Sequence, residues 1–210
     1  MEFKSLGEIG TFYNGLNGKK KEDFNSGNAR FISYMNVFNN LKANLNANDF
    51  VKVLPNEKQN IIYLGDILFT NSSETHNEVG MSCVITQEPL ENIYLNSFCF
   101  GFRFNDKGLF LPDFTKYLFR DEAVRKQIIK TANGVTRFNI SKKKSQNLPI
   151  PLPPLEIQNE IVEILDKLDS LINDLNQGIP AEISLRRKQY EYYRNLLLSK
   201  EELESFFMMM

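Results

Sequence analysis

Histidine, cysteine and net charge are all scarce in this 210-residue sequence, and the scarcities narrow what it can do. The single histidine, His76, rules out multi-histidine metal sites and leaves a His-based triad one candidate. Its neighbours in SETHNEVG are polar, which fits a plain loop histidine. Cys83 and Cys99 form no CxxC pair and sit in apolar, strand-like stretches. They read as reduced core thiols of a cytoplasmic protein. No apolar run approaches the roughly 18 residues of a membrane span. The start, MEFKSLGEIG, lacks a basic segment followed by an apolar one, so no signal peptide is expected.

Catalytic motifs are missing too. GLNGKK (Gly15–Lys20) resembles a phosphate-binding loop at a glance. Such a loop needs glycine at the position of Tyr13 and Ser or Thr at that of Lys20. Pro112-Asp113 could open a nuclease carboxylate motif, yet no Glu-x-Lys or Asp-x-Lys follows it. No Asp-Pro-Pro-Tyr or Asn-Pro-Pro-Tyr exists to hold a flipped adenine, and no glycine-rich methyl-donor loop accompanies Pro153-Pro154. The residues point away from an enzyme and name no metal ligands.

What is present divides near residue 147. Residues 1–147 carry 19 basic against 15 acidic side chains, and residues 148–210 carry 6 against 11. Residues 116–144 hold nine basic residues with only Asp121 and Glu122 as acids, a concentration that suits phosphates or a solvated helix face. FISYMNV, DILFT, MSCVIT and IYLNSFCFGFRF read as strands, and Pro112–Ala132 reads as a helix ended by Asn133-Gly134. The expected class is α+β: a mixed α/β domain over 1–147, then a proline-rich coupling segment and a long C-terminal coiled-coil helix over 148–210.

That helix is legible in its spacing. Ile157, Ile161, Ile164, Leu168, Leu171 and Leu175 recur at intervals of 4, 3, 4, 3 and 4, an a/d seam. About 24 residues precede Gly178-Ile179-Pro180, or roughly 36 Å. A break or kink is expected there because proline removes a helical hydrogen bond. Ile183, Tyr190, Tyr193 and Leu197 continue the pattern. The stripe needs a covering helix, from residues 179–198 or from another chain. The expectation is a continuing, interrupted rod covered by another chain. Four prolines, Pro149, Pro151, Pro153 and Pro154, precede the rod and favour a stiff, extended connection.

These blocks resemble a known family in order along the chain: the specificity (S) subunits of type I restriction-modification systems. LGEIGTFYNG, FISYMNV, GDILFTNSSET with Glu78-Val79-Gly80, and NGVTRFNISK resemble parts of a target recognition domain. PIPLPPLEIQNEIVEILDKLD and GIPAEISLRRKQYEYYRNLLL resemble the start and end of the conserved helical region. The resemblance implies a non-catalytic chain that reads one half of a bipartite DNA target and docks methyltransferase subunits. Its helix would serve as a spacer pairing antiparallel with a second one. It implies no cofactor here, S-adenosylmethionine being expected on the methyltransferase partners. The implied partners are double-stranded DNA, the modification and restriction subunits, and a second copy or another specificity subunit, with no membrane. Full-length members hold two recognition domains and two conserved helices. This sequence has room for one of each, which implies a natural half-subunit or a truncated chain. A half-subunit would dimerise and read an inverted repeat.

Reading DNA needs phosphate contacts and base-edge contacts. For phosphates the candidates are Lys142, Lys143, Lys144 and Arg137, the backbone at Gly134 and Thr136, and the loop Lys19, Lys20 and Lys21. For bases they are Asn71, Ser72, Ser73 and Thr75, just after a strand, and Arg103. The competing reading is a protein-binding half-subunit that modulates or sequesters partner subunits without reading DNA.

Overall fold

The structure, a computed structural model, describes residues 2–24, 27–175, 180–200, 203, 204 and 208, with side chains for all of these except 173–175, 180, 181 and 183. The chain runs β1 (Glu2–Ser5), α1 (Leu6–Ile9), β2 (Gly10–Asn14), β3 (Ala29–Ile32), α2 (Tyr34–Asn39), β4 (Phe50–Val51), β5 (Ile67–Thr70), β6 (Ser72–Ser73), β7 (Ser82–Val84), β8 (Tyr94–Leu95) and β9 (Cys99–Phe104). There follow α3 (Pro112–Leu118), α4 (Glu122–Lys130), β10 (Ala132–Asn133), β11 (Phe138–Ile140), α5 (Lys142–Ser145), β12 (Pro149–Leu152), α6 (Leu155–Leu175) and α7 (Pro180–Leu197). The fold is mixed α/β.

Its centre is the antiparallel sheet β2-β9-β5-β7. Period-two alternation sends its residues to two cores. Phe12, Phe100, Phe102, Ile67, Phe69 and Val84 share one face by register, and form one cluster with Phe114 and Tyr117 of α3 and Ile157 and Ile161 of α6. Leu68, Cys83 and Cys99 face the other way, into a cluster with Ile32, Val37, Ile62 and Leu95. Gly101 sits on that second face because Tyr13 lies across it: an added Cβ would come within 2.0 Å of the Tyr13 ring.

Three elements differ from the sequence reading. FISYMNV turns from β3 into α2 after Ser33, so Tyr34–Val37 are helical. The helical turn stacks Tyr34 on Phe38 four residues on, at 6.0 Å, and buries Val37. The 93–104 run splits into β8 and β9 at a turn where Phe98 N donates to Asn96 Oδ1 and Cys99 N to Asn96 O. The single helix expected over 112–132 is two, because Asp121 caps α4, accepting from Ala123 N and Val124 N at 2.9 and 3.2 Å.

The first part of the proline-rich segment, Pro149–Leu152, is an extended strand. β12 pairs antiparallel with β1, Ser5 opposite Pro149 and Glu2 opposite Leu152. Leu6 N donates to Leu148 O at 3.0 Å. By alternation Ile150 and Leu152 turn their main-chain groups to β1, and Pro149 and Pro151 turn away, where a missing N–H leaves nothing unpaired.

The expected continuing rod is corrected. α7 packs back along α6. Tyr190 is buried with its ring 6.5 Å from that of Tyr117, Leu198 and Leu203 join the same core, and Asn195 Nδ2 donates to Glu122 Oε2 at 3.3 Å. The covering helix is thus the chain's own. The reason lies in α6, whose apolar residues have two sides. Ile157, Ile161, Leu165, Leu168 and Ile172 face the body and α7, whereas Ile164 and Leu171 are 39% and 52% exposed. Tyr193 is also exposed, at 37%, and Leu197 is partly buried against the core. The side chains of Leu175 and Ile183, and the expected break at Gly178-Ile179, lie outside the described residues; Pro180 opens α7, where its fixed φ suits a first turn.

Candidate nucleic-acid interface

A second, three-stranded sheet, β10-β11-β6, with the turns beside its strands, carries seven of the fourteen sequence candidates. Phe138 pairs with Ser73 and Asn139 with Ser72, so the strand after the NGVTR turn lies against the polar strand after β5. Gly134 makes the turn possible: its φ is +119°, and a Cβ there would meet Arg137 O at 2.1 Å. Arg137 reaches across, donating from Nε to Ser72 Oγ at 3.2 Å. Ser72 O accepts from the Tyr34 hydroxyl at 2.9 Å, Thr75 N donates to Ser73 Oγ at 3.0 Å, and Ile140 N donates to Asn71 O at 2.9 Å. Asn71, Ser72, Ser73, Thr75, Gly134, Thr136 and Arg137 are brought together in this way.

Beside them opens a cavity of about 500 Å³, its polar side made by Ser73, Glu74, Thr75, Glu78 and Arg137. Its apolar side uses residues that sequence reasoning missed: Tyr34, Met35, Phe38 and Phe98, with Met35 56% and Phe98 59% exposed. Their signal was hidden because FISYMNV and NSFCF both read as core strand. Val135, at the tip of the turn, is 90% exposed. His76 opens a one-turn 3-10 helix, His76–Glu78, at this edge rather than lying in a plain loop, with its ring 4.9 Å from Phe138.

The lysines divide. Lys143 and Lys144 on α5 are exposed, and Lys144 Nζ donates to Asn133 Oδ1 at 2.8 Å, which ties α5 to the turn. Lys142 is half-buried, bonded to Asn14 Oδ1 and 5.2 Å from the Phe100 ring, and burial lowers its pKa. Lys19 and Lys20 lie on another loop, between β2 and β3, which leads into a 3-10 turn opened by Lys21, and the Lys19 ammonium pairs with Glu57. Arg103 is apart from the cluster as well. It is held between the Tyr13 and Tyr63 rings at 4.8 and 4.3 Å and bonded to Asp66 and Ile61 O.

Four of the nine basic residues over 116–144, Lys116, Arg120, Arg125 and Lys142, are buried or half-buried against the body. Arg120 Nη2 donates to Val37 O, Phe38 O and Asn40 O, bracing the end of α2. Arg125 does the same for Asn77 O, Val79 O and Gly80 O, and burial takes both guanidinium pKa values down to about 10. Lys116 pairs with Asp113 and Asp166, and Lys126 with Glu122. The basic residues left exposed are Lys126, paired with Glu122, Lys130 on α4, and the group around Arg137, Lys143 and Lys144. Among the described residues no group of three or more His, Cys, Asp or Glu could hold a metal ion, and no helix is long and apolar enough to cross a membrane.

Comparison with known proteins agrees on one lineage. A family model described as the type I restriction modification DNA specificity domain matches residues 1–185. The chain is 30% identical over 211 residues to the specificity subunit of the type I restriction enzyme EcoR124I/EcoR124II of Escherichia coli, covering 95% of this chain and 48% of that one. It is 35% identical over 136 residues to a putative type I restriction enzyme specificity subunit, S.HindORF215P, of Haemophilus influenzae, covering 64% of this chain and 32% of that one. Among solved structures, the HsdS subunit of Thermoanaerobacter tengcongensis superposes with a TM-score of 0.55 at 19% identity, over 94% of this chain and 43% of that chain. The S subunit of M. genitalium gives 0.53 at 14%, over 83% and 40%. These two establish likeness of fold. The chain spans about half the length of the E. coli relative and less of the other curated ones.

Proposed function

The chain belongs to the type I restriction modification DNA specificity family, and we propose that it reads one half of a bipartite DNA target and docks methyltransferase subunits, with no catalysis of its own. The observation that carries the reading is the convergence of Ser72, Ser73, Thr75 and Arg137 on one open cavity, with Lys143 and Lys144 on the element that follows. Hydroxyls and a guanidinium suit base edges, and exposed ammonium groups suit phosphates. In this reading residues 1–147 are the reader and residues 148–210 its coupling segment and helical region. The reading places the protein in the cytoplasm, with S-adenosylmethionine on the methyltransferase partner.

The helical region supplies the second half of the proposal. Ile164, Leu171, Leu185 and Tyr192 are exposed on the outer side of α6 and α7. We assign this face to protein partners: a second copy or another specificity subunit, pairing through a coiled coil, and the modification and restriction subunits. A two-fold pair would read an inverted repeat. The same exposed face favours the second reading, a half-subunit that binds partner subunits without DNA.

Retention of DNA by the purified chain, with and without methyltransferase subunits, separates the two. Mapping of methylated adenines after co-expression completes the test. Specific methylation that Arg137→Ala reduces or relaxes supports the reader. Stable partner binding with no methylation pattern sinks it.

A further inference from the structure

The joint between the reading face and α6 contains polar contacts that adhesion alone does not need. Gln158, in the first turn of α6, is fully buried and fully bonded to the body. Its Oε1 accepts from Leu111 N at 2.8 Å, and its Nε2 donates to Leu109 O at 3.2 Å and Pro153 O at 2.9 Å. Eight residues on, about 12 Å along the helix, Asp166 Oδ1 accepts from Lys116 Nζ at 2.8 Å and from the Tyr117 hydroxyl at 2.5 Å. Lys116 is itself held by Asp113 at 2.8 Å.

Apart from Pro153 O, the partners of both residues come from one stretch, Leu109–Tyr117. Apolar packing by Ile157, Ile161 and Leu165 holds α6 to the body, but it is non-directional and permits tilt. Hydrogen bonds are directional, and two sets of them about 12 Å apart fix an angle. The β1–β12 ribbon adds a third attachment at the foot of the helix. A cleft of about 610 Å³ opens beside Asp166, between Asn39–Lys42, α3 and α6, leaving room for tilt on that side.

We propose that Gln158 and the cluster Lys116–Tyr117–Asp166 are positioning residues that fix the angle of the reading face to α6, and so set the half-site separation the assembled protein accepts. The proposal rests on the DNA-reading function above. The lever is short but sufficient: a tilt of about 10° acting over about 20 Å shifts the reading face by about 3.5 Å, close to one base step. Neither residue touches DNA in this scheme.

Two measurements test it, on the full chain and on its complex with the methyltransferase subunit. The first compares methylation of duplexes carrying the mapped target at its own spacing and at spacings one base pair longer or shorter. In Asp166→Asn and Gln158→Leu the preference for the native spacing is expected to fall about tenfold, with binding to a single half-site unchanged. A uniform loss at all spacings, or an unchanged preference, overturns the proposal. Asp166→Asn alters a half-exposed side chain and serves if Gln158→Leu fails to fold. The second measurement needs no DNA: spin labels on Asn77→Cys and Lys167→Cys report the distance between body and helix. Broadening of that distance distribution by twofold or more in the clamp variants is expected, and an unchanged width overturns the proposal. A wild-type complex without sequence preference overturns the DNA-reading function, and the label distances still decide whether the clamp holds the angle.

Discussion

Arg103 grips Asp66 with two parallel hydrogen bonds, Nε to Oδ1 at 2.8 Å and Nη2 to Oδ2 at 2.6 Å. Asp66 is 1% exposed and also accepts from the Tyr13 hydroxyl and Tyr63 N. Arg103→Met leaves a buried carboxylate without its cation, and is expected to destabilise by about 3 kcal/mol. Arg103→Lys rescues little, because an ammonium cannot make the two-pronged contact. Urea unfolding midpoints check both. A change of base preference in folded Arg103→Met protein, with stability intact, would return Arg103 to the reading surface.

The turn at Gly134 gives a complementary prediction. Gly134→Ala must push Arg137 O away from a 2.1 Å contact at a φ that alanine rarely adopts. The displaced turn carries Val135, Thr136 and Arg137 but no part of the two main cores. DNA retention is expected to drop at least tenfold while the thermal midpoint moves by no more than about 3 °C. A gel-shift titration and a melting curve on the same sample decide it.

Tyr190 divides into a ring and a hydroxyl with opposite predicted effects. The ring is packed against Tyr117, whereas the buried hydroxyl finds no hydrogen-bond partner among the described residues. Tyr190→Phe is expected to be neutral or to stabilise by up to about 1 kcal/mol. Tyr190→Ala is expected to cost about 3 kcal/mol and to free α7 for proteolysis. Limited digestion that leaves α7 protected in Tyr190→Ala would contradict this seat.

The Asp166 cluster predicts a pH dependence. Burial on its own raises the Asp166 pKa, but the hydrogen bonds from Lys116 and Tyr117 outweigh it and hold the carboxyl below its usual value of 3.8. A carboxyl with a depressed folded pKa stabilises the protein above its unfolded pKa, and that stability is lost as pH falls through the folded value. Wild type is therefore expected to lose stability below about pH 4, with Asp166→Asn showing a shallower decline. Chemical unfolding at pH 6, 4 and 3 reads the difference.

Cys83 and Cys99 are expected to ignore thiol reagents in the native state. Burial pushes the Cys83 thiol up to about 12 and raises that of Cys99 further still. Both are free and buried on the inner face of the central sheet. Labelling at pH 8 should proceed at the rate of unfolding and accelerate in denaturant. Rapid modification of one thiol in native buffer would mean that the sheet opens locally.

Local pattern made some of this legible and left some hidden. DILFT and MSCVIT became β5 and β7 because apolar residues bounded by turn formers leave few alternatives, and the order of motifs pointed to the family. The grouping of Ser72, Ser73 and Arg137 was half visible, as two separate motifs whose pairing through β6 and β11 is a non-local event. Arg120 and Arg125 looked like a charged face because sequence does not reveal which carbonyls will lack partners. The seam through Ile164 and Leu171 failed as a single stripe because α6 has a body to cover as well as a helix. Asp121 was readable as a cap, but the helical signal on either side of it masked the stop.

The pairing of β1 with β12 makes the folded body a loop closed at its neck. The polypeptide arrives and departs through adjacent strands, so the stretch between Ser5 and Pro149 begins and ends at one two-stranded stem. A loop exchanged inside it, such as the exposed stretch around Leu90, leaves the geometry of the stem untouched. Such an exchange also spares the seat of α6 on Leu109–Tyr117, so a distant loop can change while stem and helix keep their places.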